Sequence, residues 1–264
     1  MKGLLRDILS EVAYGAIRLV GGGGGIRVLT YHRVTDAHPE DRLCVPVKRF
    51  AEQMQFLHEA GYRGLTMSQV TKWIRGGNGV SGRRVAITFD DGFEDNYLYA
   101  FPELKRWGFT ACFFVPTEFI QSGQAGRPEA DRPMTWEQMR RMLDAGQEIG
   151  GHSVTHRKLT KIPASEWDWE IRGCKEILEE GLERPVDYFC YPAGYYNDEI
   201  RQLVEKTGYA GAFTVKPGAV KQGMDPFAIS RTEVSAFDSL RDFEKKLAGA
   251  YDWMHAAVQR VNHT

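Results

Sequence analysis

The sequence predicts an α/β fold: an irregular barrel of about seven β/α units, an incomplete relative of the eight-unit TIM barrel. Three observations carry this prediction. Strand-like runs alternate with helix-like stretches through most of the 264 residues. The links between them are short, as in parallel strands with helices packed outside. The run Thr110–Val115 (TACFFV) is apolar without alternation, as expected of a strand buried on both faces. An open, doubly wound sheet is the competing arrangement.

The elements are expected in the following order. Leu5, Ile8, Leu9, Val12, Ala16, Leu19 and Val20 recur at helical spacing, so residues 1–20 read as an amphipathic helix. Five glycines, Gly21 to Gly25, then read as a flexible joint. Residues 1–25 thus precede one domain spanning 26–264. Ile26–Tyr31 is a strand. Val47–Ala60 is a helix that buries Phe50, Met54 and Leu57. Arg84–Phe89 (RVAITF) is a strand rich in β-formers. Asn96–Trp107 is helical, with Pro102 bending or restarting it. After strand Thr110–Val115, the Gly- and Pro-bearing segment Gln121–Pro133 is a surface loop. Thr135 and Gln138 form a capping box opening a helix to Ala145, stopped by Gly146.

Gln147–Gly150 is a short strand, and Ser165–Glu180 is a helix ended by Gly181. Val186–Tyr191 is a strand, Asn197–Thr207 a helix ended by Gly208, and Tyr209–Val215 a strand. Phe227–Ser230 is a further short strand, and Asp238–Val261 is mostly helical.

Composition narrows the function. Hydrophobic residues make up 42% and the net charge is −1. No positive excess exists to condense on phosphate, which argues against a nucleic-acid partner. Cys44, Cys112, Cys174 and Cys190 form no CxxC pair and read as buried free thiols. Arg6, Asp7, Glu11 and Arg18 interrupt the N-terminal apolar pattern, so it reads neither as a signal peptide nor as a membrane span. The expected location is cytoplasmic or at a membrane surface, with an extracytoplasmic one left open. The N-terminal helix either packs on its own domain or makes a peripheral membrane contact.

Three stretches carry chemistry. Thr88-Phe-Asp-Asp-Gly92 follows a strand; two adjacent carboxylates repel as water is excluded, and a cation relieves that repulsion. His152-Ser-Val-Thr-His156 places two imidazoles four residues apart, a spacing at which both can face one metal. With one of the two carboxylates they make a three-ligand site that leaves positions for water and substrate, the pattern of a catalytic centre. The other aspartate of the pair then has a role as the base. Tyr31-His32 ends the first strand and places an imidazole at the barrel mouth, where it can protonate a leaving amine. Taken singly, each stretch also has a bland reading: a solvated acidic turn, an incidental histidine pair, a structural histidine.

At these residues the sequence resembles the polysaccharide deacetylase family, also called the NodB-homology family or carbohydrate esterase family 4. Thr88–Gly92 matches its TFDDG motif and His152–His156 its HxxxH motif. Phe189-Cys-Tyr-Pro-Ala-Gly194 is similar to its proline-glycine motif. The resemblance runs from about Ile26 to Phe237. Tyr31-His32 is similar to the branch with a permuted motif order, which contains biofilm poly-N-acetylglucosamine deacetylases.

The resemblance implies an N-deacetylase of an N-acetylated carbohydrate with one divalent metal, zinc first. It implies Asp91, His152 and His156 as metal ligands, Asp90 as general base and His32 as general acid. A backbone N–H in the stretch Tyr191, Pro192, Ala193, Gly194 would hold the oxyanion. The arginine that many members carry near the proline motif is missing. Arg184 is too distant in sequence, and Arg231 is the candidate substitute, with a surface salt bridge as its alternative role. Phe93, Trp136 and Tyr195 either stack on sugar faces or simply pack. His255 and His263 are expected at the surface.

Other functions are weighed against this one. A glycosidase would need its two carboxyls roughly 5–9.5 Å apart across the bond, which adjacent Asp90 and Asp91 serve poorly. A non-catalytic carbohydrate-binding protein would not require an intact site. A deacetylase or deformylase of a lipid-linked or small amino sugar would suit the amphipathic N-terminus.

Overall fold

The computed structural model describes residues 9–15, 25–77 and 82–252. The glycine joint at 21–24, the rest of the N-terminal segment, and His255 and His263 lie outside the described residues.

A curled sheet of eight parallel strands is accompanied by a separate parallel pair, β2 (Arg33–Val34) and β3 (Cys44–Val45). In the sheet β4 (Arg63–Gly64) pairs with β5 off the main path, and the other seven strands run in the order β10-β1-β5-β6-β7-β8-β9. They are β1 (Arg27–Tyr31), β5 (Arg84–Phe89), β6 (Ala111–Val115), β7 (Glu148–Gly151), β8 (Tyr188–Cys190), β9 (Gly211–Phe213) and β10 (Thr232–Glu233). β1 pairs with β5 along its whole length, from Arg27 opposite Val85 to Tyr31 opposite Phe89. The two ends of the sheet, β9 and β10, are not paired with each other. The chain just before β10 fills the seam: Ile229 bridges Phe213 in parallel, and Arg231 N–H donates to the Lys216 carbonyl. The result is the incomplete β/α barrel expected from the sequence.

Strand alternation divides the core in two. One set of side chains, including Leu29, Tyr31, Ile87, Phe89, Phe113 and Phe189, packs outward. It meets the helices α2 (Val47–Glu59), α4 (Phe101–Trp107), α6 (Trp136–Asp144) and α8 (Cys174–Leu182). The other set, Val28, Ala86, Cys112, Phe114, Cys190 and Phe213, fills the barrel interior. Beneath it lies α3 (Met67–Ile74), whose Met67, Val70 and Ile74 join that interior cluster. Helix α3 crosses the N-terminal strand ends: its Met67 N–H donates to Glu148, and Arg84 lies over Trp73. The barrel floor is therefore plugged, and the C-terminal strand ends form the open mouth.

Several expectations need correction. Helix α3 was not foreseen, although Thr66 and Gln69 form a capping box at its start. Gly181 does not end its helix: the helical stretch from α7 (Ala164–Asp168) to α8 runs on to Leu182, interrupted by a π turn at Trp169–Gly173. A Cβ at Gly181 would lie 2.4 Å from the Trp136 ring, so this glycine seats Trp136, and left-handed Glu183 caps the helix. Trp136 therefore packs against a helix and is not a sugar platform. The last strand is Thr232–Glu233 rather than Phe227–Ser230, which contributes only the bridge at Ile229. Of the expected C-terminal helix, α10 covers Leu240–Ala248.

Residues 9–15 form helix α1, and polar contacts dock it on α10. Glu11 pairs with Arg241 and Lys245, Lys245 reaches Ser10, and Tyr14 donates to Glu244. Among the described residues no helix is long and apolar enough to cross a membrane.

Candidate active site at the barrel mouth

Asp90 and Asp91 leave β5 in opposite directions. Asp90 N–H still donates to the Tyr31 carbonyl, so its side chain continues the inward alternation and is buried. The chain then turns sharply, with Asp91 at φ 73° and Gly92 at φ 72°. Glycine is required at 92 on two counts: the left-handed backbone, and Val115, which a Cβ would approach to 2.9 Å. The turn swings the Asp91 carboxylate toward two histidines.

Those histidines follow β7. His152 is buried, and its Nδ1–H donates to the Cys190 carbonyl at 2.8 Å. A carbonyl can only accept, so Nδ1 carries the proton and Nε2 presents a bare lone pair. That Nε2 lies 3.6 Å from Asp91 Oδ1, and His156 Nε2 lies 3.2 Å from the same oxygen. The donor atoms of Asp91, His152 and His156 all fall within 4.8 Å of one another. Burial pushes the His152 imidazole down to about 4, which keeps it neutral and able to ligate. Burial also opposes a charged His156, but its hydrogen bond and attraction to Asp91 win and raise its pKa.

One carboxylate and two imidazoles, one already oriented by an outer hydrogen bond, fit a divalent metal. A second grouping, Asp90, His152 and Cys190, is equally tight but does not fit. Asp90 and Cys190 are both engaged by Arg231, and burial lifts the Cys190 thiol well above its ordinary value.

Arg231 is the ion-pair partner of Asp90. It reaches Asp90 from the seam beside β10, donating from Nη1 to Oδ1 and from Nη2 to Oδ2, both at 2.7 Å. Its remaining contacts are the Thr214 carbonyl, Thr88 Oγ1 and Cys190 Sγ. At 2% exposure it is not a surface salt bridge. Burial resists the Asp90 charge, yet the Arg231 charge and fork hold its carboxyl well below the usual range. Arg184 is exposed and lies 3.9 Å from Asp144, away from this pair.

His32 follows β1 and is half-buried. With Arg231 and Thr30 it lines a crevice of about 350 Å³ along the open seam, continued by Val215, Glu233 and Tyr251. Of the proline stretch, Tyr191 N–H is used by the Phe213 carbonyl and Gly194 N–H by the Tyr191 carbonyl. Pro192 has no N–H. Ala193, held left-handed at φ 52°, remains as the stretch's candidate oxyanion donor.

Phe93 packs edge-on against Phe119 and under Arg33. Of the three aromatics Tyr195 alone is exposed, at 44%, with Lys158 over its ring. Arg33, which sequence reading passed over, is buried beside His32. It pairs with Asp95 and Asp131 and so fastens the 121–133 loop to the barrel.

Comparison with known proteins gives the family and the fold. The profile of the polysaccharide deacetylase family matches residues 77–212. YxkH of Bacillus subtilis, named after the same family, is 31% identical over 79% of this chain and 71% of its own. The poly-β-1,6-N-acetyl-D-glucosamine N-deacetylase of Escherichia coli is 24% identical over 90% of this chain, which spans 40% of that longer protein. Among solved structures, IcaB from Ammonifex degensii superposes with a TM-score of 0.73 at 28% identity, covering 86% of this chain and 98% of that one. A Streptococcus pyogenes deacetylase, PplD, solved with acetate, shares the fold with a TM-score of 0.77 at 24% identity, covering 84% and 98%. The matched span exceeds half the sequence and contains the TFDDG and HxxxH stretches. The chain belongs to the polysaccharide deacetylase family.

Proposed function

We propose that the chain is a metal-dependent N-deacetylase that hydrolyses the N-acetyl group of an N-acetylated sugar, releasing acetate and a free amine. One observation carries the reading: Asp91 Oδ1 and the Nε2 atoms of His152 and His156 converge on one point, next to the buried Asp90. The E. coli relative, named for an N-acetylglucosamine polymer, supports the substrate class.

Asp91, His152 and His156 would hold the metal, with zinc the leading candidate for two imidazoles and a carboxylate. When bound, it supplies Lewis acidity, activating a water and polarising the acyl oxygen, so that a weak base suffices. Asp90, fixed by Arg231, takes the proton from the water as its oxygen bonds to the acyl carbon. The Ala193 N–H donates to the oxyanion. His32 protonates the nitrogen as the C–N bond breaks. The crevice lined by His32 and Arg231 has a volume within the range of small-molecule sites.

The test is acetate release from N-acetylglucosamine oligomers by the metal-loaded protein. Asp90→Asn is expected to lose at least about 100-fold in rate while keeping its metal. Near-full release by that variant would remove Asp90 from its role. Release of reducing ends instead of acetate would make the protein a glycosidase.

A further inference from the structure

Glu170 is a fully buried carboxylate that nothing above uses. It stands in the π turn Trp169–Gly173, where one extra residue in the turn shifts the helix face. Each oxygen takes two donors. One receives the backbone N–H groups of Val154 at 3.0 Å and Thr155 at 2.9 Å. The other receives Thr155 Oγ1 at 2.5 Å and Arg157 at 3.0 Å. Every one of these donors belongs to the loop that carries His152 and His156.

That loop is held mostly from outside. Ser153 and His156 both adopt left-handed backbone, at φ 64° and 60°, which side-chain-bearing residues avoid unless their surroundings fix it. The His152 end is fastened by sheet-like bonds: His152 N–H to Val115, and Ser153 and Val154 carbonyls accepting from Thr117 and Glu118. Toward His156 the fastening is by side chains: Ser153 Oγ takes the His156 N–H, and Glu170 takes the residues on either side. His156 is also the more exposed ligand, at 43%, and gains least from packing.

We propose that Glu170 is a positioning residue for the metal centre: its buried carboxylate locks the His152–His156 loop so that both imidazoles face Asp91 before an ion arrives. The inference rests on the metal site proposed above. Glu170 touches neither metal ligand side chain nor substrate, and acts through the backbone of the loop.

The full chain, stripped of metal, is titrated with zinc and with cobalt(II), whose visible spectrum reports ligand geometry. Glu170→Gln keeps the shape but turns one acceptor into a donor facing donors. Its zinc affinity is expected to fall about 10–100-fold, the usual range for groups that orient ligands, with an altered cobalt spectrum. Thr155→Val, which removes one donor and leaves the carboxylate, should weaken zinc in the same direction by less. A merely structural role would lower thermal stability and leave affinity and spectrum unchanged. Wild-type affinity and spectrum in Glu170→Gln, or in Thr155→Val should the first variant not fold, overturns the proposal. Two further proteins separate this from failure of the metal site itself. If the unmodified chain bound no zinc, or His152→Ala bound it equally well, the site would be wrong, whatever Glu170 does.

Discussion

Asp90 and Arg231 lie 141 positions apart, and their contact decides what Asp90 can do as the proposed base. Two 2.7 Å bonds in a buried setting fix the carboxylate ionised and in one plane. Breaking such a pair by removing one partner typically costs about 3–5 kcal/mol, because a charge is left buried alone. Arg231→Met is therefore expected to destabilise the protein by about that amount in urea unfolding and to lose about 100-fold or more in kcat. Arg231→Lys should recover part of the stability but little of the rate, since an ammonium cannot supply the planar fork. Equal kcat in Arg231→Lys and the parent protein would show that orientation of Asp90 does not matter. The sequence exposed Asp90, Asp91 and both histidines through short local patterns. Arg231 was only a substitute candidate, because its partner is set by the seam of the barrel and not by neighbours in sequence. Glu170 gave no signal at all: a glutamate among Trp167, Asp168, Trp169 and Arg172 reads as part of a solvated helix face until the π turn is seen.

Among the elements, helices α6 and α8 illustrate how packing overrides propensity. Alanine is favoured over glycine inside a helix by about 1 kcal/mol, and Gly181 lies inside α8. Yet a Cβ there would meet three atoms of the Trp136 ring between 2.4 and 2.7 Å, and overpacking typically costs about 1–3 kcal/mol. Gly181→Ala is thus expected to lower stability in thermal or urea unfolding, and a rise would show that Trp136 moves freely. The sequence reading took Gly181 for a stop signal because its contact with Trp136 is tertiary. Gly146 and Gly208 were read correctly because a left-handed turn after a helix is local.

A second element-level prediction concerns the barrel floor. Burial pushes the Glu148 carboxyl up to about 7, against the Met67 N–H that favours its charge. The folded protein therefore keeps a proton that the unfolded chain releases near its ordinary value of 4.5. Stability from this group is complete below about pH 4.5 and falls as pH rises toward 7. Glu148→Gln, which retains an acceptor for Met67, should flatten that stretch of the profile and add on the order of 1–2 kcal/mol at pH 8. An unchanged pH slope would remove Glu148 as its source.

For the whole molecule, the plugged floor and open mouth explain why chemistry collects where it does. With α3 under the strands, inward side chains at the N-terminal ends pack, and those at the C-terminal ends are left to face a ligand. The alternation of strands and helices made this fold legible, because each β/α unit carries its own periodicity. The short strands β2 (Arg33–Val34), β3 (Cys44–Val45) and β4 (Arg63–Gly64) were not legible, since two residues carry no period. An incomplete barrel was expected, but what its seam holds was hidden: Arg231 and the crevice beside His32.

The most direct test is anomalous scattering at the zinc edge from crystals of the zinc-loaded chain. One peak is expected, about 2.0–2.2 Å from an Asp91 carboxylate oxygen and from Nε2 of both His152 and His156, with Asp90 still on Arg231. No peak among these three residues, or a zinc held instead by Asp90 and Cys190, would contradict the account.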